Sequence, residues 1–219
     1  MSPLQHQCMR ARARAFTLVE LLTVVGIMVL LMAMVIPAFN SVGRTSNLTN
    51  GANMVVDQLN LARQTALTQD RLVQVRFYKL PGPTDGTNPT AYRAIRLFVY
   101  DPTGTVATPV SAVKYLPTGS IIVSGAFSTL LGPGYGSTSL APTTGTENLP
   151  SFNNAAYVAF QFRPSGGTSL DPNGVNSDKW FISFKLENDP VPAGNTRPAI
   201  NFITALIDPV SGRVRVFRP

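Results

Sequence analysis

The chain has 219 residues, a formal net charge of +7 and only 13% charged residues, well below the usual quarter. That sparse charge, with 17 Gly and 18 Pro, predicts a loop-rich β domain of the kind found outside the cytoplasm, with room for one long helix besides. The single cysteine, Cys8, and the single histidine, His6, both precede residue 16, so the remainder has no disulfide, thiol nucleophile, imidazole base or Cys/His metal site. Arg10, Arg12 and Arg14 account for three of the positive charges, leaving +4 on the rest of the chain, too mild to argue a nucleic-acid partner from net charge.

From Phe16 to Phe39 the sequence is apolar with a single charge, Glu20. As a helix this run is about 36 Å long, enough to cross a bilayer core of about 30 Å. The basic flank ahead of it predicts a cytoplasmic N-terminus, with everything after Phe39 on the other side. An acid within such a run costs about 2.5–3.5 kcal/mol and calls for a partner or a role, although near the end of the run it could also reach interfacial water. The run is too long for a secretory signal, whose apolar core is about 7–15 residues. A plain anchor is the simpler alternative.

The basic leader, the phrase Ala15-Phe16-Thr17-Leu18-Val19-Glu20 and the unbroken apolar helix behind it resemble the class III signal of type IV pilins and type II secretion pseudopilins. The resemblance implies cleavage by prepilin peptidase between Ala15 and Phe16 and methylation of the new Phe16 amine. It implies that Glu20 is the filament-assembly glutamate, pairing with the N-terminal amine of an adjacent subunit. Ala15 stands where the family has glycine and is small enough for the same peptidase pocket. The implied partners are other pilin or pseudopilin subunits through the N-terminal helix, the prepilin peptidase, the inner-membrane assembly platform and, before assembly, the inner membrane itself. The implied localisation is a single-pass inner-membrane protein, N-terminus cytoplasmic and C-terminal domain periplasmic, moving to a filament after assembly.

Pro37 and Gly43 weaken the helix, through a missing donor and through backbone freedom. Helical periodicity then returns, with Leu48, Ala52, Val55, Leu59, Ala62 and Ala66 at three- and four-residue steps, predicting an amphipathic stretch to about Gln69. From Leu72 the period becomes two. Val73, Val75 and Phe77 alternate with Gln74, Arg76 and Tyr78, and Ile95, Leu97 and Val99 alternate with Ala94, Arg96 and Phe98. Shorter strands are predicted at 111–116 and 120–123. Residues 125–154, rich in Gly, Ser, Thr and Pro, read as an exposed insertion. Strands resume with Val158, Phe160 and Phe162, then Trp180, Ile182, Phe184 and Leu186. Residues 199–207 are apolar on both faces, as in a central strand, and a hairpin over Asp208–Gly212 returns as 213–217.

The expected fold is α+β: a long N-terminal α-helix, membrane-spanning in its first half and amphipathic in its second, packed on a C-terminal antiparallel β domain, pilin-like. The expected divisions are a cleaved leader (1–15), a transmembrane and polymerisation helix (16–39), the amphipathic half (40–70) and an extracytoplasmic β domain (71–219). Three phrases resemble the GspH/FimT-like minor pseudopilins: Leu59-Asn-Leu-Ala-Arg-Gln-Thr-Ala-Leu67, Phe162-Arg-Pro-Ser-Gly166 and Ile207-Asp-Pro-Val-Ser-Gly-Arg-Val-Arg215. The stretch Asp70-Arg-Leu-Val-Gln-Val-Arg-Phe-Tyr-Lys79 is similar to the Verru_Chthon cassette variant of that branch.

The scattered acids form no catalytic pair, so no enzyme and no cofactor are expected. Asp171 and Asp178 bracket a turn that could supply calcium ligands, against the commoner reading of an Asx-rich turn without an ion. In an extended strand Arg213, Arg215 and Phe217 share one face, where guanidiniums and a ring could hold phosphates and stack a base. Gly212-Arg213-Val214-Arg215 resembles the Gly-Arg-x-Arg stretch of minor pilins that capture DNA; a solvated hairpin face is the plainer alternative. The function implied is a minor pilin or pseudopilin subunit of a type II secretion pseudopilus or type IV pilus-like filament. A DNA-binding minor pilin for DNA uptake is the alternative, and a filament-borne adhesin or sensor acting through 125–154 a weaker one.

Overall fold

The computed structural model describes residues 17–82, 91–132, 142–173, 179–192 and 197–218, and within its one long helix the side chains at 17–33, at 43 and from 45 onward. The helix, α1, runs Leu18–Gln69. The chain divides into two compact units, Met1–Gly43 and Arg44–Pro219.

In the first unit every large apolar side chain from Leu18 to Met32 is exposed, from 45% at Val24 to 77% at Leu18. The expected membrane-spanning helix is overturned here. Among the described residues no helix is long and apolar enough to cross a membrane. The single-pass inner-membrane placement, which rested on that helix, is corrected with it.

The second unit corrects the rest of the expected architecture. Only the stretch of α1 beyond Arg44 belongs to it, and its bulk is a large sheet. The predicted stripe Leu48, Ala52, Val55, Leu59, Ala62 and Ala66 is at most 1% exposed and joins the main core. After Gln69 the chain leaves the helix through Asp70, whose φ of +53° lies in the left-handed region. The Arg71 amide then donates to the Ala66 carbonyl at 3.3 Å, a Schellman-type end in which a short polar residue takes the place of glycine.

Ten described strands form one antiparallel sheet. They are β1 Val73–Lys79, β2 Tyr92–Tyr100, β3 Ala107–Pro109, β4 Lys114–Tyr115, β5 Ser120–Ile122, β6 Thr143–Leu149, β7 Phe152–Phe162, β8 Trp180–Leu186, β9 Phe202–Ile207 and β10 Val214–Phe217. Their order is β10-β9-β8-β5-β2-β1-β7-β6, with β3 and β4 pairing β2. The core face is the one the alternation predicts: Val73, Val75 and Phe77 of β1, Ile95 and Leu97 of β2, Val158, Phe160 and Phe162 of β7, and Trp180, Ile182, Phe184 and Leu186 of β8.

The strand expected over 111–116 shrinks to the two residues of β4, and a further short strand, β3, precedes it; both pair β2. The strand expected over 199–207 is shorter and lies next to the sheet edge, and its burial alternates. Of the expected exposed insertion over 125–154, the first part, 125–131, is instead built into the fold. Two 3-10 turns, Gly125–Phe127 and Thr129–Leu131, put Leu130 and Leu131 into the core. The Ser128 hydroxyl accepts the Ser183 amide at 3.0 Å, and the Thr129 hydroxyl accepts the Phe181 amide at 2.9 Å while donating to the Lys179 carbonyl at 2.7 Å. Hydroxyl side chains thus continue the ladder on β8 past the end of β5, which is why a Ser/Thr-rich stretch is ordered here. Farther on, Thr143–Leu149 forms the edge strand β6, which stays largely exposed.

On the opposite face of the sheet from α1, Glu147 of β6 is held by three partners. Arg76 and Arg96 donate to it at 2.8 and 3.0 Å, and the Tyr78 hydroxyl donates to the same carboxylate. The Arg76 guanidinium also lies 3.9 Å from the centroid of the Phe98 ring and 4.6 Å from that of Tyr157. Burial, with the hydrogen bond to Glu147 second, raises the Tyr78 pKa above its ordinary value. Burial also opposes the charge on Arg76, but the hydrogen bond and the attraction of Glu147 outweigh it and the pKa is raised.

Candidate functional site

The N-terminal phrase starts the helix by a reciprocal cap. The Glu20 amide donates to the Thr17 hydroxyl at 3.2 Å, while Glu20 Oε2 accepts the Thr17 amide at 3.2 Å and the Thr17 hydroxyl at 3.0 Å. This is a capping box, Thr at the cap and Glu three residues on, which satisfies two donors the helix would otherwise leave open. The T-x-x-E spacing was legible in Thr17-Leu-Val-Glu20 and gives Glu20 a local role beside any intermolecular one. Only Oε2 is used. Oε1 has no partner among the described residues. Ala15 and Phe16 lie outside the described residues, as do the side chain of Pro37 and all of Asp178. Gly43 is exposed, with no atom within 4 Å of where a Cβ would stand.

The three phrases that are far apart in sequence meet at one place. Arg63, from the helix phrase, donates through Nε to the Ser211 carbonyl at 2.9 Å. A Cβ on Gly166, from the second phrase, would stand 3.2 Å from Leu67 Cδ2 and 3.5 Å from an Arg63 guanidinium nitrogen. A Cβ on Gly212, from the third, would stand 2.3 Å from the Gly166 carbonyl oxygen and 3.3 Å from Arg63 Cδ. The Thr168 amide and hydroxyl both donate to the Pro209 carbonyl, at 2.8 and 3.0 Å. The phrases therefore form one packed junction between α1, the turn after β7 and the β9–β10 hairpin.

That junction sets the hairpin that carries Arg213 and Arg215. Asp208 and Arg213 close the loop, with the Asp208 amide donating to the Arg213 carbonyl at 2.9 Å, and Gly212 completes it at φ +64°. The Asp208 carboxylate accepts the Ser211 hydroxyl at 2.7 Å and the Val210 amide at 3.0 Å. The Ser211 hydroxyl is the largest influence holding its pKa below the ordinary carboxylate value, so it stays charged at neutral pH.

Arg213 and Arg215 line a cleft of about 290 Å³ together with Lys179, Trp180, Asp208 and Asn173. Phe217 does not. It is exposed farther along β10, opposite Thr204, next to Arg218, which donates to Thr49 at 3.5 Å. The expected row of two guanidiniums and a ring is thus divided: the arginines share a cleft, and the ring stands apart from it. Lys179 escaped sequence reading because it lies more than thirty positions upstream, and only the β8–β9 pairing, which sets Trp180 opposite Ile207, brings it near. The Trp180 indole donates to the Asp171 carbonyl at 2.8 Å and so pins the 171–173 wall. The Asp171 carboxylate accepts the Asn173 amide at 2.9 Å, an Asx turn. Among the described residues no three His, Cys, Asp or Glu side chains gather as metal donors.

Compared with known protein families, curated proteins and solved structures, the chain finds no match.

Proposed function

We propose that the chain is a minor pilin or pseudopilin subunit of a type II secretion pseudopilus or type IV pilus-like filament, matured by prepilin peptidase between Ala15 and Phe16. The observation that carries this reading is the all-round exposure of the apolar side chains from Leu18 to Met32, directly behind a capped Glu20. A helix apolar on every side is a helix that becomes buried. Burying one Leu or Val side chain stabilises by about 1.5–3 kcal/mol. Covering all twelve of these side chains against those of neighbouring copies is worth about 18–36 kcal/mol and exceeds an association cost of about 4–15 kcal/mol. Glu20 Oε1 remains available for the amine of an adjacent subunit.

The cap makes the test sharper. Glutamine keeps a capping box but removes the charge, so Glu20→Gln separates the two roles. Expected is an unchanged helix content by circular dichroism and a strong loss of the subunit from sheared, pelleted filaments. Normal yield for Glu20→Gln, with loss only for Glu20→Ala, would reduce Glu20 to a helix cap. Mass spectrometry of the filament subunit is expected to show a methylated Phe16 at the N-terminus; a retained leader would refute the maturation step.

A further inference from the structure

We infer that the cleft between the 171–173 segment, the start of β8 and the β9–β10 hairpin is a binding site for a compact phosphate-bearing small molecule. This inference is independent of the filament reading. Lys179, Arg213 and Arg215 converge on one cavity of about 290 Å³. Among the described residues none of the three takes part in an ion pair. Three cations brought together repel one another, and the arrangement is relieved by an anion. Asp208, the one acid in the described lining, attracts Arg215 and offsets only one of the three charges. Its oxygens are turned into the hairpin, where they accept from Val210 and Ser211, so the cleft keeps a surplus of two positive charges.

The class of ligand follows from shape and donors. Two guanidiniums and an ammonium offer fork and point donors that suit phosphate oxygens. A volume of about 290 Å³ lies at the small end of ligand sites, which run from about 300 to 1,000 Å³, and accommodates a phosphate or pyrophosphate with a small body. Pro172, Pro209 and Trp180 supply apolar wall. A polynucleotide would present the same phosphate chemistry, but it calls for a track of cations and stacking rings, and Phe217 stands outside the cleft.

Trp180 is the only tryptophan and lines the cleft, so its emission reports on occupancy. The full chain is titrated with inorganic pyrophosphate, and separately with a duplex oligonucleotide, at constant ionic strength, following Trp180 fluorescence and heat by calorimetry. Expected is saturable pyrophosphate binding that is weakened about ten- to a hundredfold by Arg213→Ala with Arg215→Ala, at unchanged circular dichroism. Lys179→Met, an exposed single change, is expected to weaken it about tenfold and decides the matter should the double variant fail to fold. No pyrophosphate binding, equal binding by the variants, or binding of the duplex alone would each overturn the inference.

Discussion

Replacing Glu147 by alanine is expected to destabilise the β unit by about 3–5 kcal/mol. Arg76 and Arg96 stand opposite each other in the β1–β2 register, an arrangement of like charges that is unfavourable on its own. Glu147 resolves it from β6 by reaching over β7, where Ala155 and Ala159 leave room. The side chains of all three are only 14–20% exposed. Removing one partner of a well-buried pair costs about 3–5 kcal/mol; partial exposure reduces the charge contribution here to about 2 kcal/mol. The fully buried Tyr78 also loses the acceptor of its hydroxyl, which adds about 1–3 kcal/mol. Urea unfolding followed by Trp180 emission measures the effect as a lowered midpoint at unchanged slope. Adding Arg96→Ala to the Glu147 variant is expected to cost less than Arg96→Ala alone, since the repulsion it relieves exists only in the variant. Additive costs would show that the three side chains do not act as a unit.

How much of this was legible in the sequence depends on the range of the interactions concerned. Period-two alternation identified the core face of β1, β2, β7 and β8, because burial on one face of an antiparallel strand is written locally, residue by residue. The stripe from Leu48 to Ala66 was legible for the same reason, at the helical period. The capping box at Thr17 and Glu20 was equally local, yet the resemblance drew attention to the intermolecular role of the carboxylate and away from the amide three residues back. Residues 125–131 read as loop because composition does not reveal that Ser128 and Thr129 hydroxyls stand in for strand carbonyls on β8. The cleft was half legible. Arg213 and Arg215 are two apart and were seen together, whereas Lys179 joins them only through the pairing of β8 with β9. The membrane-spanning reading took hydropathy over the whole of 16–39 as one span, whereas among the described residues no helix is long and apolar enough to cross a membrane.

The second large effect tests what the Gly-Arg-x-Arg phrase is for. Gly212→Ala is expected to destabilise the β unit by about 2–5 kcal/mol. Gly212 has φ +64°, a conformation that costs an alanine about 1–2 kcal/mol. The added Cβ would also stand 2.3 Å from the Gly166 carbonyl oxygen and 3.1 Å from the Phe162 ring. Gly166 is backbone, and the turn carrying it is tied back by hydrogen bonds from Gly166 to the Arg163 carbonyl and from Arg163 to the Gly167 carbonyl, both 2.8 Å, so the contact is relieved only by moving the hairpin. Such overpacking costs about 1–3 kcal/mol more. The control is Gly119→Ala, which has a comparable φ of +82° but open space around the new methyl group, and which is expected to cost only the backbone share, about 1–2 kcal/mol. Thermal unfolding of the two variants measures the difference. If Gly212→Ala is no worse than Gly119→Ala, the junction among the three phrases does not constrain the hairpin. If it is markedly worse, the glycine of this phrase is explained by close packing against Gly166 and Arg63, and any ligand-binding role belongs to the arginines that follow it.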